Sequence, residues 1–290
     1  MLNVITSEPL RGKGFGERLR AAMSERGPLC VGIDPHPGLL TAWGLPDDAQ
    51  GLERFALSCV EALAGQVAVL KPQSAFFERH GSRGVAVLER VLADARSAGA
   101  LTLLDVKRGD IGSTMTAYAQ AYLDPASPLF ADAVTLSPYL GYESLRPAID
   151  VAVQHGGGVF VLALTSNPEG RQVQHASLAG RSVARAVVEG AAADNANADD
   201  LGSVGLVVGA TIGDAVNDLG LDLAGSRAPL LAPGIGAQGA GPSDIRRVFG
   251  DAIGNVLPSS SREVLMAGPS ASGLRDAAKR TADSMSAALS

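Results

Sequence analysis

The sequence predicts one α/β domain over residues 1–290, built as a (β/α)8 barrel of eight parallel strands. Three observations carry this. Short apolar runs rich in Val, Ile and Leu recur along the chain, as expected of strands buried on both faces. Stretches of helical periodicity separate them, and strand–helix alternation calls for a parallel sheet. Polar residues fall at the C-terminal ends of the runs, which is the end where barrels of the TIM type build their active sites. An open doubly wound sheet is the alternative, but no GxGxxG follows the first run.

The elements follow in order. A helix around residues 15–23 has its apolar residues at helical spacing and closes the bottom of the barrel. LCVGID (29–34) is the first strand, with Cys30 as a small core residue. GLERFALSCVEALAG (51–65) is a helix that buries Leu52, Phe55, Leu57, Val60 and Leu63. VAVLK (67–71) is the second strand. The next helix, GVAVLERVLADARSAG (84–99), has Gly99 placed to cap its end. LTLLDVK (101–107), AVTLS (133–137), GVFVLALTS (158–166), GLVVGAT (205–211), PLLAPG (229–234) and NVLPSSS (255–261) complete the strands. The polar stretch 189–204, EGAAADNANADDLGSV, reads as a helix end and an exposed loop within the domain, because the strand rhythm resumes at once. Trp43, Phe76 and Phe77 read as packing residues.

Composition narrows the function classes. Lys plus Arg number 24 and Asp plus Glu 30, a net charge of −6, which disfavours a nucleic-acid or anionic-membrane surface. No run approaches the roughly 18 apolar residues of a membrane span, and the N-terminus lacks the apolar stretch of a signal peptide. The two cysteines, Cys30 and Cys59, exclude a disulfide framework and a Cys-rich zinc site. The expected compartment is the reducing cytoplasm.

The chemistry gathers in LTLLDVKRGDIGST (101–114). Side chains two apart on a strand share a face, so Asp105 and Lys107 point together into the barrel mouth if Leu104 and Val106 face the helices. Asp110 follows as the next helix begins, and Thr114 lies four residues on, on the same helical face. Asp34 and Lys71 end the first two strands, so one mouth can hold Asp34, Lys71, Asp105, Lys107 and Asp110. A D-x-K-x-x-D pattern alone recurs by chance in roughly one chain in twenty. The weight rests on the joint arrangement, because buried charges are costly unless paired. Arg108 reads as the solvated member of the cluster. At the other side of the mouth, APGIGAQGAGP (232–242) lets backbone N–H groups turn toward an anion, and Arg262 ends the eighth strand beside it. Loops after strands seven and eight form the usual phosphate cradle in such barrels.

DVKRGDI (105–111), with Lys71 before it and PGIGAQG (233–239) after it, resembles the orotidine 5'-phosphate decarboxylase family. GIDPHP (32–37), KPQSAFFE (71–78) and TSNPEG (165–170) resemble its longer, type 2 bacterial branch. The resemblance runs from about residue 29 to 262. It implies a barrel enzyme that converts orotidine 5'-monophosphate to UMP and CO2 without metal or organic cofactor, as the last step of UMP synthesis. By motif it makes Lys107 the proton donor to C6 and sets Asp105 against the departing carboxylate. Lys71 and Asp110 complete the charge network. It implies a homodimer with shared sites, in which Asp110, Ile111 and Thr114 reach the neighbouring subunit. Asp34 and Lys71 match ribose contacts. Ser166, Pro233, Gln238 and Gly239 match substrate contacts, with Gln238 on a closing loop. Arg262 matches the phosphate cation, although SSSR replaces the Gly-Arg segment of the shorter branch.

Two rivals remain at this level. A metal-dependent sugar-phosphate decarboxylase or epimerase would need His or carboxylate ligands. The histidines His36, His80, His155 and His175 show no paired ligand spacing, and only His36 lies near the mouth. A non-catalytic nucleotide-binding barrel would not need Lys107 beside two carboxylates.

Overall fold

The computed structural model describes residues 13–235 and 240–289. All eight expected strands are present. They are β1 (Cys30–Ile33), β2 (Val69–Pro72), β3 (Leu101–Arg108), β4 (Ala133–Leu136), β5 (Gly158–Leu164), β6 (Val204–Val208), β7 (Leu230–Pro233) and β8 (Val256–Ser260). Each pairs in parallel with its neighbours in chain order, and β8 pairs with β1 to close the barrel. The eight-stranded barrel read from the strand rhythm is the fold observed.

Strand alternation divides the core into two layers. Cys30, Val69, Leu103, Ala133, Phe160, Val207, Leu231 and Leu257 fill the barrel. Val31, Leu70, Leu104, Val134, Val159, Leu206, Leu230 and Val256 face the surrounding helices. The helix Ala49–Leu63 buries Leu52, Phe55, Val60 and Leu63 as its periodicity predicts, while Leu57 is only partly covered. Asp48 caps it by accepting from the backbone N–H groups of Gln50 and Gly51 at 3.0 and 2.9 Å. Gly99 follows the helix Gly81–Ser97 with φ +75°, the left-handed turn a glycine supplies at a helix end.

The helix Phe15–Arg26 plugs the bottom, as expected. Phe15 and Leu19 enter the inner layer, and the Phe15 ring meets Phe160 edge-on at 5.9 Å. Arg18 holds the plug in place by donating to Asp132 at 2.6 Å and to the Gly156 carbonyl at 2.8 Å. Asp132 in turn accepts from the backbone N–H and hydroxyl of Thr102 at the base of β3.

Two features depart from the sequence reading. The stretch 189–204 is not simply a helix end and an exposed loop. After the helix Val183–Asp194, Asn195 is buried, donating to the carbonyls of Val204 and Ser226 and accepting from the Val204 N–H. Leu201 joins the inner core. Polar composition hid this because a fully bonded asparagine can rivet a loop as an apolar side chain would. The connection after β5 also carries an antiparallel hairpin, Ser177–Leu178 with Arg181–Ser182. Its two-residue turn, Ala179 and Gly180, has both φ values positive, the turn that suits the twist of paired strands.

Phe15→Ala removes the ring that fills the barrel base. It should lower stability by about 3–5 kcal/mol in urea unfolding while leaving the opposite mouth intact.

Candidate active site

A cavity of about 490 Å³ opens at the C-terminal ends of the strands. That volume suits a small-molecule ligand. β3 supplies its centre. Leu104 and Val106 face outward into the helical layer, and Asp105 faces the cavity, as alternation predicts. Lys107 arrives there by another route. Leu104 lies opposite Val134 and Arg108 opposite Leu136, so residues 105–107 all stand against Thr135. This bulge turns Lys107 into the left-handed region, with φ +47°. A non-glycine residue held there costs on the order of 1–3 kcal/mol.

Asp105 accepts from four donors, two on each oxygen. Oδ2 takes Lys71 Nζ and Gln73 Nε2, both at 3.0 Å. Oδ1 takes Lys107 Nζ at 2.5 Å and the Thr135 hydroxyl at 2.8 Å. Burial works to raise the Asp105 pKa, but the Lys71 and Lys107 charges and these hydrogen bonds outweigh it and hold the carboxyl well below the usual range. Burial likewise works against charge on Lys71, and Asp34 and Asp105 overcome it, so its pKa is raised. Asp105 and Lys71 therefore both stay charged across the neutral range. The two lysines differ in access. The Lys71 side chain is 10% exposed and the Lys107 side chain 47%, so of the two lysines lining the cavity Lys107 is the more open.

Asp34 lines the same cavity at the end of β1. Its Oδ1 is buried without a hydrogen-bond partner among the described residues. Gly32 makes room for it, because a Cβ there would sit 3.1 Å from both carboxylate oxygens and 2.9 Å from Ser261 Cβ. Beneath the mouth, burial pushes the Cys30 thiol up to about 12, which keeps it neutral.

Ser166, Pro233 and Arg262 also line the cavity, with Arg262 exposed at the start of the short helix Arg262–Leu265. Gln238 and Gly239 lie outside the described residues. Asp110, Ile111 and Thr114 do not line this chain's cavity. The shared helical face expected for Asp110 and Thr114 needs correction. The helix is Gly112–Leu123 with Ile111 as its cap, so Asp110 precedes it, and its carboxylate accepts the Ile111 N–H. Glycines at 109 and 112 let the chain turn between strand and helix.

Arg108 is also not the solvated residue expected. It donates to Glu78 at 2.8 Å and lies over the Tyr118 ring. Ser74 donates to the same Glu78 oxygen at 2.6 Å, so Arg108 fastens the end of β3 to the segment after β2. A charge run in sequence did not show which side the bulge would turn it to. Gln73 and Thr135 were missed altogether. Their signals were a polar residue directly after Lys71 and Pro72, and a threonine inside the apolar run AVTL.

His36 lines the rim with its ring against Phe76 at 4.1 Å. Among the described residues, no group of three or more His, Cys, Asp or Glu is placed to hold a metal ion.

Comparison with known proteins bears on this arrangement. The profile of the Orotidine 5'-phosphate decarboxylase / HUMPS family matches residues 27–277. Orotidine 5'-phosphate decarboxylase of Salinispora arenicola is 63% identical over 278 residues, covering 96% of this chain and 99% of the relative. The Streptomyces coelicolor enzyme of the same name is 62% identical over 270 residues, covering 92% of this chain and 95% of the relative. A crystal structure from Streptomyces avermitilis, described as a candidate orotidine 5'-phosphate decarboxylase, superposes with a TM-score of 0.91. It is 60% identical and the match covers 96% of both chains. From the barrel, its charged mouth and these likenesses over nearly the whole length, the chain belongs to the orotidine 5'-phosphate decarboxylase / HUMPS family.

Proposed function

We propose that this chain decarboxylates orotidine 5'-monophosphate to UMP and CO2, the closing step of UMP synthesis, with Lys107 as the proton donor. The observation that carries the reading is the Lys71–Asp105–Lys107 array at the mouth, with both ammoniums on one carboxylate. The bond from C6 to the carboxylate breaks, and CO2 leaves without the bonding pair. That pair stays on C6, where no ordinary electron sink receives it. The Lys107 ammonium, held beside the carbon before reaction, stabilises the charge and then gives up its proton to C6. The lysine regains a proton from water. Asp105 holds the Lys107 ammonium in aim, and its anion lies against the departing carboxylate.

No single group suffices. Enzymes lower barriers by about 8–23 kcal/mol, and one electrostatic donor supplies roughly 3–4 kcal/mol. The remainder comes from several aligned charges and from binding of the remote phosphate. Arg262 and residues 233–235 line the same cavity as Lys107 and suit that phosphate. Asp34, whose Oδ1 has no hydrogen-bond partner among the described residues, and Lys71 suit the ribose hydroxyls, and Ser166 suits the pyrimidine edge. Gln238 and Gly239 are further substrate contacts in this reading, by their match to the family motif.

The working form we propose is a homodimer whose partner supplies Asp110, Ile111 and Thr114. Ile111 is 60% exposed, and Tyr139 and Leu140 on the neighbouring loop after β4 are 76% and 52% exposed. Exposed apolar side chains on the loops after β3 and β4 suit an interface. We also place the enzyme in the cytoplasm. Its two cysteines, both free and buried, suit a reducing compartment, and no described helix is long and apolar enough to cross a membrane.

The direct test is a spectrophotometric assay with orotidine 5'-monophosphate in EDTA. Turnover should persist under the chelator, and Lys107→Ala should lower kcat by roughly 10³-fold or more while UMP still binds. Binding without any loss of the orotate absorbance would point instead to a non-catalytic nucleotide barrel. Phosphate-free orotidine should be a very poor substrate, because it lacks the remote binding energy that orders the site. Comparable turnover of the two compounds would remove that part of the mechanism. Mixing Lys107→Ala with Asp110→Ala chains should restore activity toward about a quarter of wild type, since each mixed dimer regains one intact site. No recovery after subunit exchange would argue against shared sites.

A further inference from the structure

Lys107 has an unusual support. Its side chain is 47% exposed, so packing does not aim it. Its backbone sits at φ +47°, a conformation that does not persist without restraint. The bulge also removes the ladder partner its N–H would have had on β4, since residues 105–107 all face Thr135.

Thr135 supplies what the bulge takes away. Its hydroxyl oxygen accepts the Lys107 N–H at 2.9 Å. Its O–H donates to Asp105 Oδ1 at 2.8 Å. A hydroxyl has one proton to give and lone pairs to receive, so the two bonds are compatible. The Lys107 ammonium returns to the same Asp105 oxygen at 2.5 Å, closing a ring through lysine backbone, threonine hydroxyl, carboxylate and ammonium. Thr135 itself is 1% exposed, in a strand otherwise made of Ala133, Val134 and Leu136. A valine would fill that space equally well, so burial alone does not explain the hydroxyl.

We propose that Thr135 is a positioning residue for the decarboxylation, fixing both the backbone of Lys107 and the carboxylate that holds its ammonium. This rests on the proposed role of Lys107. Without the hydroxyl, the Lys107 N–H is left unpaired, the backbone relaxes out of the left-handed region, and the ammonium leaves its aim. Displacement of a reacting group by about 1 Å can cost on the order of 10²-fold.

Thr135→Val keeps the shape and removes both bonds. Its kcat for orotidine 5'-monophosphate should fall by about a hundredfold, with KM changed by less than about threefold, since Asp34, Ser166 and Arg262 are untouched. Thr135→Ser restores the hydroxyl and should recover most of the loss. A merely structural role would lower the yield and melting temperature of both variants and leave kcat per folded molecule unchanged, as would overturn the proposal. If Thr135→Val does not accumulate folded, Thr135→Ala carries the same comparison. If the wild type fails to turn over the nucleotide, the functional reading itself has failed. Crystal structures of wild type and Thr135→Val then decide: an unmoved Lys107 ammonium overturns the positioning role, and a displaced one with φ returned to negative values supports it.

Discussion

One carboxylate organises this molecule's working end. Asp105 receives two ammoniums, an amide and a hydroxyl, and these four donors come from three strand ends. Lys71 and Gln73 come from the end of β2, Thr135 from β4, and Lys107 from its own strand. The barrel brings β2, β3 and β4 side by side, so the carboxylate ties three neighbouring strands together at their tips. The anion is stable there because every oxygen is bonded. Removing it would leave Lys71 buried without its closest partner, and breaking a buried pair costs about 3–5 kcal/mol. The charge array and local stability thus rest on the same contact.

The barrel frame explains why such an array holds its shape. Its base is closed by Phe15 and by the Arg18–Asp132 clasp, far from the mouth. Side chains fill the interior up to Val207 and Leu231, which also form the floor of the cavity. The charged array therefore sits on strand ends backed by a packed core. Rigid placement of charges is what electrostatic catalysis requires, since no reorganisation is then needed as the reaction proceeds.

Much of this was legible in the order of residues, for reasons that can be named. Buried parallel strands read as apolar runs because both faces are covered, and all eight runs became strands. Asp34, Lys71 and Asp105 could be placed at the mouth because strand ends and alternation fix direction. The reading failed where the backbone left its regular path. The bulge after Leu104 made Lys107 reach the mouth through a left-handed turn, and it carried Arg108 to Glu78 and Tyr118 instead of to solvent. The turn after Gly109 delayed the helix, so the spacing of four between Asp110 and Thr114 had no helix to act on. Asn195 looked like loop composition and proved to be a buried rivet.

The sequence by itself determined the strand count, the direction of each strand, the charged types at the mouth and the glycines that let the loops turn. These follow from periodicity, which is local. Only the tertiary structure decided which donors share Asp105, which lysine is the more exposed, and that a threonine in an apolar strand bears on both. Those facts depend on register between strands distant in sequence, and a one-residue shift in pairing changes every contact across the barrel.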